Sequence, residues 1–155
     1  MRLDFSNERV LAVVAHPDDA EILCAGTLAR AMRDGGTAGI CVLCDGGKGQ
    51  PDPPVVDLAE IRSAEMRQAA GVLGAELFLA GFPDGLLSDS PEHRLALIET
   101  FRVFRPTLVL AHSELDYHAD HRAASQLCEA ASWFCASRGH LTESSALNAP
   151  PAIWW

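Results

Sequence analysis

The sequence predicts a three-layer α/β domain, with a mostly parallel sheet held between helices. Three observations carry that prediction. Short apolar runs alternate with longer segments of helical periodicity, the pattern of βαβ units. The apolar runs are nearly continuous rather than alternating, as expected of strands buried on both faces. Each of the first four runs ends in loop-forming residues rich in His, Asp and Gly, and ligands of such sheets bind beyond the C-terminal strand ends.

The run at 10–14, Val-Leu-Ala-Val-Val, predicts a first strand over about 9–15. A helix over about 20–33 follows, with Ile22, Ala25, Ala29 and Met32 at three- and four-residue steps, and Gly35-Gly36 ends it. A second strand is expected over about 38–44. The loop Asp45-Gly-Gly-Lys-Gly49 and the proline-rich stretch 51–54 lead to a helix over about 57–73 and a strand over about 76–80. Ser90-Pro91-Glu92 reads as an N-cap, a proline at the first helical position and a first-turn acid. The helix it opens turns Leu97, Ile98, Phe101 and Phe104 inward, and Arg105-Pro106 stops it. A fourth strand over about 107–111, a helix over about 120–137 and an apolar stretch at 152–155 complete the series. A doubly wound domain seldom closes on a bare apolar strand, so the chain reads as lacking a C-terminal portion.

A length of 155 residues suits one domain, 1–155, large enough to bury a core. Hydrophobic residues at 48% exclude a disordered chain. A formal charge of −9, with no basic cluster, argues against nucleic acid and anionic membrane as partners. The first residues lack the apolar core of a signal peptide, and no apolar run is long enough to span a bilayer. The five cysteines show no disulfide-framework spacing, which fits a reducing cytoplasm. Cys41 and Cys44, three apart inside an apolar run, are expected on opposite faces of a strand as core residues.

Chemistry concentrates at two places. Ala15-His16-Pro17-Asp18-Asp19 follows the first strand, and His118-Ala119-Asp120-His121 follows the fourth. Either alone is an ordinary turn or helix start; together on one sheet edge they suggest a metal site. A catalytic metal wants about three protein N or O ligands and an open position. His16 and Asp19 lie at a strand-to-helix turn, and His121 is the natural third ligand. Two imidazoles and a carboxylate suit Zn2+, with Fe2+ as the alternative. Asp18 is then free to act as general base. His118 is placed to protonate a leaving amine or stabilise an oxyanion, and Asp120 to orient an imidazole.

At these residues the sequence resembles the N-acetylglucosaminyl-phosphatidylinositol deacetylase (PIG-L) superfamily, the LmbE-like proteins. The first motif extends through Glu21-Ile22 and Gly26-Thr27-Leu28. Asp45–Gly49, the segment from Ala59 to Gly74, Pro83-Asp84-Gly85 and Tyr117–Ala124 resemble later family segments. The resemblance implies a Rossmann-like fold, a divalent metal, usually zinc, and N-deacetylation of N-acetylglucosamine-type conjugates. It also implies His16, Asp19 and His121 as ligands, Asp18 as base, and His118 with Asp120 beside it. Ala20 and Ala119 depart from common family residues without removing a ligand.

Arg62 and Glu65 are three apart on one helix, and Glu65 projects onto the stripe of Ile61, Ala69 and Val72, where Arg62 is its natural partner. Arg62, Asp84 and Tyr117 are the expected substrate contacts, with an ion pair, a turn acid and a covering side chain as their structural counterparts. His112 is either a support for the cluster or the edge of the core, and His93 and His140 read as surface residues. The glycine-rich loop lacks phosphate-loop spacing, and no G-x-G-x-x-G follows the first strand, so nucleotide binding is weakly supported.

The expected function is therefore a zinc hydrolase acting on an N-acetylated amino-sugar small molecule. A metal- or sugar-binding module without catalysis is the alternative. Trp154 and Trp155 provide an apolar surface on which copies of the chain would associate into a homo-oligomer.

Overall fold

The computed structural model describes residues 4–155. Among these, the strands are β1 (Arg9–Val14), β2 (Thr37–Cys44), β3 (Glu76–Phe82), β4 (Leu108–Ala111) and β5 (Ala152–Trp154). The helices are α1 (Asp19–Leu23), α2 (Ala25–Asp34), α3 (Leu58–Leu73), α4 (Pro91–Phe104) and α5 (Ala119–Phe134). The sheet runs β3-β2-β1-β4-β5 with every pairing parallel. Strand order therefore reverses between β1 and β4, the switch point at which such sheets open a crevice.

Strand periodicity explains the two core layers. Leu11, Val13 and Ala15 face one side and pack with Leu97, Ile98, Phe101 and Phe104 of α4 and Ala124, Leu127 and Ala131 of α5. Val10, Ala12 and Val14 face the other and pack with Leu28 and Ala31 of α2 and Met66 and Ala70 of α3. Both faces of β1 are covered, which is why its run is uniformly apolar. Ser90 caps α4 as expected, its side chain accepting from the His93 amide at 3.2 Å with Pro91 at the first position.

Four readings change. The helix expected over 20–33 is two helices, broken at Cys24 (φ −141°, ψ 5°). The break re-phases the chain, so Leu28 and Ala31 are buried while Ile22 and Ala29 are exposed. In α3 the inward stripe is Leu58, Met66 and Ala70, and Ile61, Glu65 and Val72 face solvent. Arg62, four residues from both Leu58 and Met66, shares the inward stripe instead. Cys41 and Cys44 lie in the same core layer, because the β2–β3 register shifts between Val42 and Cys44. His93 and His140 are half-buried, their rings against Phe82 (centroids 3.9 Å apart) and Phe134 (4.2 Å).

The α2–β2 turn is sterically exacting. Gly35 caps α2 with φ 96°, a left-handed conformation that suits glycine. A Cβ on Gly36 would meet the Phe5 and Glu8 carbonyl oxygens at 2.3 and 2.7 Å. Both are backbone atoms, so relief requires moving the strand entry. Gly36→Ala is expected to destabilise the fold by about 1–3 kcal/mol, the usual range for overpacking. Urea unfolding would measure it; an unchanged midpoint would contradict the packing described.

Candidate metal centre and active-site pocket

The tip of β1 turns sharply at His16-Pro17-Asp18 before α1 begins. Asp18 sits at φ 105°, a region disfavoured for any residue with a Cβ. Strain of this kind clusters at functional sites. The turn brings Asp19 Oδ2 to 2.8 Å from the His16 amide, which donates to it. Across the switch point, β4 ends at Ala111 with His112 next, and His118 serves as N-cap of α5.

These elements converge on one carboxylate oxygen. Asp19 Oδ2 lies 3.6 Å from His16 Nδ1, 3.5 Å from His121 Nε2 and 3.4 Å from His112 Nε2. The opposite nitrogens of His16 and His121 also face carboxylates. His16 Nε2 is 3.0 Å from Asp120 Oδ2, hydrogen-bonded. His121 Nδ1 is 3.1 Å from Asp116 Oδ2, but the two are not aligned for a hydrogen bond and the nitrogen is buried without a partner. Imidazoles with carboxylates behind them and free nitrogens converging in front are the arrangement that orients metal ligands. With bonds near 2.0–2.1 Å, donors of a tetrahedral cation stand about 3.3–3.5 Å apart. The 3.5 Å separation of His121 from Asp19 meets that demand, and the 3.6 Å of His16 is slightly longer. Three close groups of potential ligand atoms overlap here, His16/His118/His121, His16/Cys44/Asp120 and Asp19/His112/His121; the expected ligands His16, Asp19 and His121 meet in pairs at Asp19 rather than as one such group.

The electrostatics follow from the same contacts. Burial opposes charge on His16, but the Asp19 and Asp120 carboxylates outweigh it and raise its pKa to about 9. Burial works against the Asp19 carboxylate too, yet the His16 side chain and the His16 amide hold its pKa far below the usual range. Burial holds the pKa of His121 down despite Asp116, so the ring is kept in the neutral form that ligates metals. Asp18 moves up, first through burial and then through the charge of Asp19, with Arg62 opposing.

The other expected site residues gather around the same cavity of about 540 Å³. His118 Nδ1 accepts the Asp120 amide at 3.2 Å, so its ring proton is on Nε2. Asp120, 1% exposed, serves His16 rather than His118, and its Oδ2 also accepts the Gly85 amide at 2.8 Å. Arg62 lines the cavity, 3.2 Å from Glu65 and 3.8 Å from Asp18. Asp84 is buried, its two oxygens accepting the Gly46 and Lys48 amides, both at 2.8 Å. The Gly47 amide goes to Asp45 Oδ1. The glycine-rich loop thus points its amides at carboxylates, which leaves no amide cradle there for a phosphate. Tyr117 is 89% exposed at the rim, its ring centroid 6.1 Å from that of His118.

Sequence reasoning missed two neighbours of the site and, away from it, one buried arginine. Lys48, the single lysine of the chain, lines the cavity, and its uniqueness was the available signal. Cys44 comes within 4.8 Å of ligand-type atoms of His16 and Asp120, a position created by the β2–β3 register shift. Arg102, 4% exposed, donates to the carbonyls of Cys135, Ser137 and Ser144 and to Thr142 Oγ1, holding the segment after α5.

Comparisons with known proteins bear on the family and the fold. The family model for GlcNAc-PI de-N-acetylase matches residues 11–132. A 1D-myo-inositol 2-acetamido-2-deoxy-alpha-D-glucopyranoside deacetylase of Segniliparus rotundus is 29% identical, aligned over 88% of this chain and 54% of its own length. The crystal structure of the conserved protein TT1542 from Thermus thermophilus superposes with a TM-score of 0.80 at 39% identity, covering 94% of this chain and 64% of that one. The N,N'-diacetylchitobiose deacetylase from Pyrococcus horikoshii, complexed with an inhibitor, gives 0.84 at 27%, covering 93% and 58%. The chain spans a little over half the length of the curated relative.

The paired shifts set a pH signature for the metal-free chain. The folded pKa of His16, about 9, lies above its ordinary 6.5. Its imidazolium therefore stabilises the fold fully below about pH 6.5, and that contribution is lost as pH rises through about 9. Asp19 acts oppositely, its contribution present above its ordinary 3.8 and lost only in acid. Urea midpoints in chelator should fall between pH 7 and pH 9.5, and His16→Ala should flatten that decline. A pH-independent wild-type midpoint would rule out the charged His16 described.

Proposed function

The chain belongs to the GlcNAc-PI de-N-acetylase family, and on that premise we propose that it is a metal-dependent hydrolase acting on a linear amide. Its substrate is a small-molecule conjugate of N-acetylglucosamine type, from which it removes acetate. The observation that carries this reading is the convergence of His16 Nδ1 and His121 Nε2 on Asp19 Oδ2, with Asp18 beside them. The names of the relatives support the substrate class, since both deacetylases are named for an acetylated amino sugar.

His16, Asp19 and His121 would hold the cation, Zn2+ by the chemistry of the donors, with Fe2+ as the alternative. Bound there, a divalent ion supplies Lewis acidity that polarises the acetyl carbonyl and acidifies a water. The remaining work falls to the chain. Asp18 accepts a proton from the attacking water as its oxygen bonds to the carbonyl carbon. His118, with its proton on Nε2, donates a hydrogen bond to the oxygen on which negative charge develops. Asp18 then returns the proton to nitrogen as the C–N bond breaks, giving acetate and the free amine. Asp120 keeps His16 oriented. Arg62, Tyr117 and, beside its hold on the loop, Asp84 contact the sugar. Among the described residues no helix is long and apolar enough to cross a membrane, and the proposed substrate is a soluble molecule.

Asp18→Asn tests the assignment with little disturbance, because asparagine tolerates the left-handed backbone that position 18 needs. Metal content, read by elemental analysis, should stay near one ion per chain. Acetate release from a panel of N-acetylglucosaminides should fall by about 10²–10⁴-fold, the usual share of a general base. His121→Ala should lose metal and activity together. Turnover by Asp18→Asn near the wild-type rate would remove Asp18 from its role. Metal uptake by a wild-type chain that releases no acetate across the panel would favour the alternative, a non-catalytic metal- or sugar-binding module.

A further inference from the structure

Nothing in the mechanism uses His112, yet it is among the most enclosed polar groups of the chain, its side chain 1% exposed. It stands at the tip of β4, on the strand next to β1, and reaches across the switch point. Its ring lies flat against that of His121, with centroids 4.0 Å apart and planes 17° from parallel. Its Nε2 is 3.0 Å from the Ala15 amide, which donates to it, and 3.4 Å from Asp19 Oδ2.

An amide donor at Nε2 requires a lone pair there, so the ring is neutral with its proton on Nδ1. That lone pair then looks toward a carboxylate oxygen. Two acceptors facing each other at this distance repel unless positive charge lies beside them. The ring is thus fixed on three sides: a strand amide at its edge, Asp19 in front and His121 across its face. Both groups it holds in place belong to the proposed ligand set.

We propose that His112 is a positioning residue for the metal site: by stacking on His121 it fixes the plane in which Nε2 of that ring meets Asp19. The proposal rests on the metal-dependent reading of the site. It predicts that the flat ring is what matters to the metal, and that the nitrogen matters to the fold through the Ala15 amide. The two can be separated. His112→Phe keeps a flat ring and leaves the amide unsatisfied; His112→Ala removes both.

The experiment is zinc titration of the metal-free protein, with thermal unfolding measured on the same samples with and without zinc. Both variants should unfold at lower temperature than wild type without metal. His112→Ala should bind zinc about 10–100-fold more weakly, the usual effect of losing a group behind a ligand, and its zinc-induced rise in Tm should shrink. His112→Phe should keep an affinity close to wild type and most of that rise. Equal loss of zinc in both variants would make the nitrogen itself a ligand and overturn the positioning role. Unchanged zinc affinity in both would reduce His112 to a core residue. A wild-type chain that takes up no zinc would overturn this proposal together with the metal-dependent reading, whereas the other outcomes leave that reading standing.

Discussion

One carboxylate oxygen organises this molecule's chemistry. Asp19 Oδ2 is approached by three imidazoles and accepts a backbone amide, in a residue 8% exposed. Burying a carboxylate is costly unless hydrogen bonds and opposite charge replace its water. Here the replacement comes from the β1 turn, where the His16 amide donates to it and the His16 imidazolium faces it, while His112 from the tip of β4 and His121 from the first turn of α5 enclose it. That meeting requires β1 and β4 to be neighbours although nearly 100 residues separate them, as their parallel pairing, Val10 with Leu108, provides. The apolar strands are the frame whose position makes the charged cluster affordable.

A second set of contacts locks the surrounding loops to one another. Asp84, from the loop after β3, holds the Gly46 and Lys48 amides of the loop after β2. The next residue, Gly85, donates to Asp120, which is bonded to His16. Arg122 donates to the carbonyls of Asp116 and Tyr117, steadying the loop that leads into α5. Four strand ends are therefore coupled through two carboxylates, Asp84 and Asp120. The loops are thus tied to one another as well as within themselves, so the site depends on the whole edge of the sheet.

What the sequence disclosed, and what it hid, divides along physical lines. The strand order of chemistry was legible because apolar runs mark buried strands and polar residues follow them at fixed places, as at His16-Pro17-Asp18-Asp19 and His118–His121. Helix phase was less legible. In α3 small and charged residues surround the apolar ones, so the Ile61/Glu65/Val72 stripe and the Leu58/Met66/Ala70 stripe look alike until the sheet selects one. The break at Cys24 carries no glycine or proline to announce it. Cys44 reached the site through a register shift, which depends on how β2 meets β3 rather than on either strand alone. Arg102 resembled a surface arginine of α4; its burial reflects carbonyls supplied by a segment more than thirty residues away.

The distribution of charge inside the pocket bears on what it admits. Asp18, Asp19, Asp84 and Asp120 line it, against Arg62, Lys48 and, in the metal-free chain, the His16 imidazolium. Asp84 and Asp120 have amides to accept, and Arg62 stands between Glu65 and Asp18. An anionic ligand would face more carboxylates than cations and would find the loop amides already occupied. A neutral, hydroxyl-rich ligand meets no such opposition, since carboxylates accept from hydroxyls and arginine donates to them. A divalent ion at the inner end would offset the carboxylates there, where the proposed acetamide would sit, leaving the outer end to hydrogen bonding. Among the proposed conjugates, this balance favours those whose second half is uncharged, and it does so through side chains that the fold already needs to hold its loops.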